Sequence, residues 1–165
     1  MIASLLLLLA APQDVPPAPV PPHAVPGEDA VKPYAASNAN AGTTPFEGRG
    51  MARAFHGQPG IRRVVEGALK RYFADPVTRE IFMGHDKVRL RRVLFEQFCF
   101  ILNAGCSYSG RDMKTTHKDM GVQQADMNRL VELLQQSMAA EHVSFAAQNK
   151  FLSKLAPMRK DVVDR

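Results

Sequence analysis

No apolar run in this sequence reaches the ~20 residues that a membrane-spanning helix needs, which excludes a multi-pass membrane protein. Cysteine is nearly missing: two residues with no Cys-x-x-Cys cannot make a disulfide-rich scaffold, and a zinc site would need two more ligands that no spacing offers. Proline is sparse where it would break a fold, because eight of the twelve lie before residue 37. Convincing two-residue alternation is also lacking, so nothing reads as a sheet. What is present is 165 residues, 45% hydrophobic and 22% charged, which suits one globular domain. The net charge of +5 divides unevenly, −2 over residues 1–50 and +7 over residues 51–165.

Met1 to Ala11 reads MIASLLLLLAA, an apolar core of signal-peptide length that ends in small side chains. No Lys or Arg precedes the leucines, so only the amino-terminal charge supplies the positive end. An export signal over 1–11 is the expectation, with a periplasmic or secreted protein if it is one and a cytoplasmic protein otherwise. No cysteine follows the leucines, which argues against a lipid anchor. Residues 12–49 are rich in Pro, Ala, Gly, Asn and Thr with few large apolar groups, a composition that cannot offset its ordering entropy. A stiff, disordered, solvated tether is expected there, and a folded domain over 50–165.

Beyond residue 50 the apolar spacing is helical. Ile61, Val65, Ala68, Leu69 and Tyr72 share a face of a segment that ends before Asp75-Pro76. Leu90, Leu94, Phe98 and Ile101 make a second stripe in a helix of about 87–104. Met127, Leu130, Val131, Leu134 and Met138 make a third; Phe151, Leu155, Met158 and Val162 make a fourth, bent at Pro157. Between the second and third lies a polar, glycine-broken stretch, 103–122, with room for a short helix over Asp112–Lys118. Spacing alone therefore describes a small all-α domain with four main helices, and implies no cavity.

The run Tyr108-Ser109-Gly110-Arg111-Asp112-Met113, followed by His117 and Gly121, resembles the signature of the truncated haemoglobins, most of all group 1. Upstream, Asp75-Pro76 and Phe82 stand where that family has the end of its first long helix and a phenylalanine seven residues later. Glu96-Gln97-Phe98-Cys99 and Cys106 fit a subset of the family, and the likeness runs without gaps from about Gly57 to Val163. The resemblance implies a two-over-two helical sandwich around haem b, with a loop replacing most of the proximal helix.

By that resemblance His117 is the iron ligand, and a neutral imidazole is the usual proximal donor in ligand-binding globins. Without it, His117 reads as a surface loop histidine. Phe82 would pack on the haem face, and Met113, Phe98, Met127 and Leu130 would line the cavity. Arg111, Lys114 and Lys118 are candidates to pair with the haem propionates, contacts worth about 0–1 kcal/mol each when exposed.

On the distal side the sequence departs from the pattern. Many group 1 members carry a tyrosine late in the first long helix and a polar group in the second, donors to bound oxygen. The corresponding positions here are Leu69, Leu90 and Leu94. A donor to such a partly charged ligand stabilises it by about 1.5–3 kcal/mol, so its loss should speed oxygen release about ten- to a hundredfold. Gln97 and Tyr72 lie within a turn of these positions and could supply a donor instead. His85 could swing in as a sixth ligand, though an exposed loop histidine beside Asp86 is the plainer reading.

Cys99 and Cys106 could bridge in an oxidising compartment if the helix ended near Asn103 and the chain turned back. Two buried thiols are the simpler expectation. Residues 61–92 hold nine Arg or Lys against four acids, which reads as a solvated basic face open to an acidic redox partner rather than to nucleic acid, since no base-reading pattern accompanies it. A protein binding a diatomic gas leads; a haem enzyme such as a nitric oxide dioxygenase or peroxidase, and a helical interaction module without cofactor, are the alternatives.

Overall fold

The computed structural model describes residues 24–163; the expected export signal and the start of the tether lie outside them. Among the described residues there is no strand. Seven α-helices follow one another: α1 (Gly50–Ala54), α2 (Gly57–Ala74), α3 (Arg79–Phe82), α4 (Lys87–Ile101), α5 (Met113–His117), α6 (Gln124–Ala140) and α7 (Phe145–Leu155). Short 3-10 turns flank them at Asn38–Ala41 and Ala156–Asp161. No described helix is long and apolar enough to cross a membrane.

Local chemistry sets the helix ends. Asp75 stands before Pro76 in extended conformation and stops α2, as a residue preceding proline disfavours the helical region. Asp86 caps α4 by accepting from the amides of Val88 and Arg89 at 2.8 and 3.0 Å. Ser144 caps α7 in the same way. Helix α6 opens on a capping box in which the Gln123 amide donates to Asp126 Oδ2 at 2.9 Å. At the far end, Pro157 converts α7 into a 3-10 turn, the bend expected of it.

Helix α2 packs on both α4 and α6, and α6 packs on α7, so two helix pairs are layered two over two. The α2 stripe (Ile61, Val65, Ala68, Leu69 and Tyr72) is buried along its length. Each large aliphatic chain so buried contributes about 1.5–3 kcal/mol. Phe151 ties the layers together, edge-to-face against Phe55 at 5.2 Å and Phe98 at 4.8 Å.

Three expectations are corrected. Helix α4 ends at Ile101, three residues early, because Asn103 (φ 55°) and Gly105 (φ 90°) turn the chain back. That reversal sets Cys106 beside Cys99, with Cα atoms 5.6 Å apart, and the two form a disulfide rather than two buried thiols. The tether expected over 12–49 is likewise not what residues 24–49 form: they run as a strap along α4 and the 105–112 loop. The Glu28 carboxylate, 1% exposed, meets Arg92 and Arg89. Tyr34 donates to the Ser109 carbonyl at 2.8 Å, Asn40 to that of Gly110 at 3.1 Å, and the Phe46 amide to that of Ile101 at 2.8 Å. Gly42, at φ 84°, lies so close to Met158 that a Cβ would strike its sulfur. Composition misses the strap because polar bonds and close backbone approach hold it, not large apolar side chains.

Candidate functional site

Between the two helix pairs lies a cavity of about 480 Å³. All nine expected site residues line it: Leu69 from α2, Phe82 from α3, Leu90, Leu94 and Phe98 from α4, Met113 and His117 from α5, and Met127 and Leu130 from α6. Four stripes separated in sequence thus converge on one space. Sequence spacing missed the wall built by Leu152, Leu155, Met158 and Val162; the stripe of the last three was legible, but not the side it would face, and Leu152 was not part of it.

The α5 turn is short and its geometry is imposed. Asp112 caps it, accepting from the Thr115 amide at 2.9 Å, a bond that holds the carboxyl below the usual carboxylate range. Just before it, the Tyr108 ring folds across Gly110 and donates to the Arg111 carbonyl at 3.0 Å. A Cβ on Gly110 would collide with that ring, which is the physical content of the Tyr-x-Gly pattern. His117 closes the turn with Nδ1 at 2.8 Å from the Met113 carbonyl. A carbonyl only accepts, so Nδ1 carries the proton and Nε2 keeps its lone pair. Burial lowers the His117 pKa, with a smaller contribution from the charge of His85, against an opposing effect of the Met113 carbonyl. The ring is therefore neutral at neutral pH, the state a metal ligand requires.

Phe82 is fixed by stacking on Tyr72, rings 5.5 Å apart and within 5° of parallel, and by Phe73 edge-on at 5.8 Å. Tyr72 and Gln97 both line the cavity. The Gln97 amide nitrogen, however, is taken up by the Ala41 carbonyl of the strap at 3.0 Å, beside the sulfur of Met113. His85 is exposed and is not part of the lining. Arg111 lies over the Tyr34 ring and donates to the Lys32 carbonyl, so it serves the strap; Lys114 and Lys118 are exposed and off the lining. The cavity's polar rim is instead Gln124, Asn128 and Arg159, where Arg159 donates to Gln124 and Gln124 to Asn128. No spacing pattern singled out these three.

Among the described residues no cluster of three or more His, Cys, Asp or Glu stands ready to hold a bare metal ion. One neutral imidazole in an apolar, polar-rimmed cavity suits a metal whose other ligands come with a flat hydrophobic macrocycle. The fold and site define a globin-class helical sandwich.

Comparison with known proteins agrees. Residues 53–164 match the family described as bacterial-like globin, and the chain belongs to that family. Group 1 truncated haemoglobin GlbN of Nostoc commune is 28% identical over 109 residues, covering 66% of this chain and 92% of that protein. GlbN of Nostoc sp. (strain MUN 8820) matches at the same identity and coverage. Truncated haemoglobin from Tetrahymena pyriformis in the Fe(III) form superposes with a TM-score of 0.67 at 20% identity, covering 70% of this chain and 98% of that one. The 2/2 haemoglobin of Synechococcus sp. PCC 7002, solved with covalently attached heme, superposes at 0.64 and 17% identity with the same coverage. Haem is the cofactor of this globin class, and the residues present fit it.

Proposed function

We propose that this globin holds haem b through His117 and takes a diatomic gas (oxygen, nitric oxide or carbon monoxide) in an unusually apolar distal space. The observation that carries the reading is the His117 imidazole on the cavity wall, its Nδ1 committed to the Met113 carbonyl and its Nε2 free. When bound, haem supplies the iron at which the gas is held. The chain's own part is to orient and exclude. Asp112 and Met113 fix the imidazole, Phe82 and Phe98 wall the cavity, and Leu69, Leu90 and Leu94 keep water out where a donor would otherwise stand. Such walls favour the less polar ligands, since carbon monoxide and nitric oxide depend less than oxygen on a hydrogen bond.

The visible spectrum of the purified protein in ferric, ferrous and carbonyl forms, with and without added hemin, tests the reading. Wild type should take up one haem, and His117→Ala should lose the spectrum or convert it to another coordination state. A wild-type chain that stays colourless after hemin is supplied sinks the proposal. An oxidising compartment is part of the same reading, supported by the Cys99–Cys106 bridge, since disulfides persist outside the reducing cytosol. Fractionation of the producing cells should then find the protein in the periplasm or medium.

A further inference from the structure

The walls that Leu69, Leu90 and Leu94 make hydrocarbon are broken by one hydroxyl, that of Tyr72. Its residue is 7% exposed and lines the cavity, and among the described residues the phenol oxygen has no hydrogen-bond partner. No buried side-chain nitrogen or oxygen there is sealed away without a partner, so this oxygen must meet open space, and the space beside it is the cavity. A hydroxyl that faces a cavity without a protein partner is left to bond whatever occupies that cavity.

Tyr72 is also held firmly in place. The fully buried Thr78 donates its hydroxyl to the Tyr72 carbonyl at 2.9 Å. Asp75 accepts from the amides of Val77 and Thr78 at 3.0 and 3.3 Å, and Arg129 grips its other oxygen from Nε and Nη2 at 2.9 and 2.7 Å. The Phe82 ring stacks on the phenol itself. Burial keeps the phenol protonated, above its ordinary range, so it remains a donor at any physiological pH. Gln97, the other polar candidate on this wall, has its amide nitrogen turned to the strap.

We propose that Tyr72 is the hydrogen-bond donor to the diatomic ligand and the residue that sets oxygen retention relative to carbon monoxide. The inference rests on the haem reading above and changes its distal side: the donor comes from a position three residues past Leu69, about 4.5 Å further along α2. The family pattern would place it at Leu69. A phenol O–H on a cavity wall shared with Leu69, Leu90 and Leu94 is suited to a small ligand with a partly negative end.

Tyr72→Phe removes the oxygen atom and leaves the Phe82 stack. In the ferrous haem-loaded protein it should raise the oxygen dissociation rate about tenfold, the equivalent of one charge-assisted hydrogen bond, and leave carbon monoxide dissociation within about twofold. The carbonyl stretching frequency should shift between wild type and variant. In the haem-free protein the denaturation midpoint should hold or rise, because the hydroxyl removed had no partner. Equal oxygen rates in two normally coloured proteins overturn this inference alone, and so does a lowered haem-free midpoint, which would mean that the hydroxyl is spent on the fold. A wild-type chain that takes up no haem overturns the reading beneath it as well.

Discussion

At the residue scale, the two side chains on which the proposals rest were unequally legible. His117 stood out because a Tyr-x-Gly, a methionine and a histidine at fixed spacing form a pattern, and the pattern has a steric cause in the Tyr108–Gly110 contact. Tyr72 was legible only as a member of the α2 stripe and as one of two residues, with Gln97, within a turn of the leucines that could supply a donor, since spacing reports a face and says nothing of whether a phenol finds a partner. The leucines at 90 and 94 carry a prediction of their own. Leu90→Gln places a donor on the α4 wall; it should slow oxygen release about tenfold, for one hydrogen bond gained, with little change for carbon monoxide. Stopped-flow oxygen dissociation checks it, and faster release would show that Leu90 does not face the bound gas.

At the element scale, the end of α2 is the joint on which the distal wall hangs. Asp75, Thr78 and Arg129 clamp it, and the hydrogen bond from Arg129 is the chief reason the Asp75 carboxyl lies below its ordinary range. A depressed carboxyl stabilises the fold above its unfolded pKa, and that contribution disappears as pH falls through the folded one. Arg129→Gln should therefore move the acid limb of unfolding to higher pH while leaving neutral-pH packing largely intact, as circular dichroism across pH 2–6 would show. Helix existence was legible here, from Asp-Pro at the end of one stripe and the apolar spacing of the next, because proline geometry and helical periodicity are local. The early end of α4 was not, because it depends on a left-handed Asn103 that apolar periodicity does not register. The same holds for the strap, whose anchors are a buried carboxylate and a set of backbone carbonyls. Deleting residues 24–49 should lower the unfolding temperature and quicken haem loss, since it strips Glu28 from Arg89 and Arg92 and frees the Gln97 amide. A domain cut at Gly50 that matched the full chain in both measurements would make the strap ornamental.

At the scale of the whole molecule, three constraints meet on the loop that delivers His117 to the cavity. The strap pairs with Ser109 and Gly110, Arg92 ties Glu28 to Glu96, and the disulfide joins Cys106 to the last turn of the core helix α4, where Cys99 is fully buried. The α5 turn that carries His117 is only five residues long, so its rigidity must be supplied from neighbouring elements, and here it comes from α4 and the strap. Closing a loop with a sequence separation of seven removes unfolded-state entropy worth about 2–3 kcal/mol on the chain-entropy account. Reduction should therefore lower the unfolding free energy by that amount in both haem-free and haem-loaded protein. If the bridge also steadies His117, Cys99→Ser/Cys106→Ser should release haem faster than an equally destabilised variant remote from the loop. Haem transfer to an apoprotein acceptor distinguishes the two: equal rates would leave the disulfide a general brace of the fold, and a faster rate in the cysteine variant would tie the bridge directly to cofactor retention.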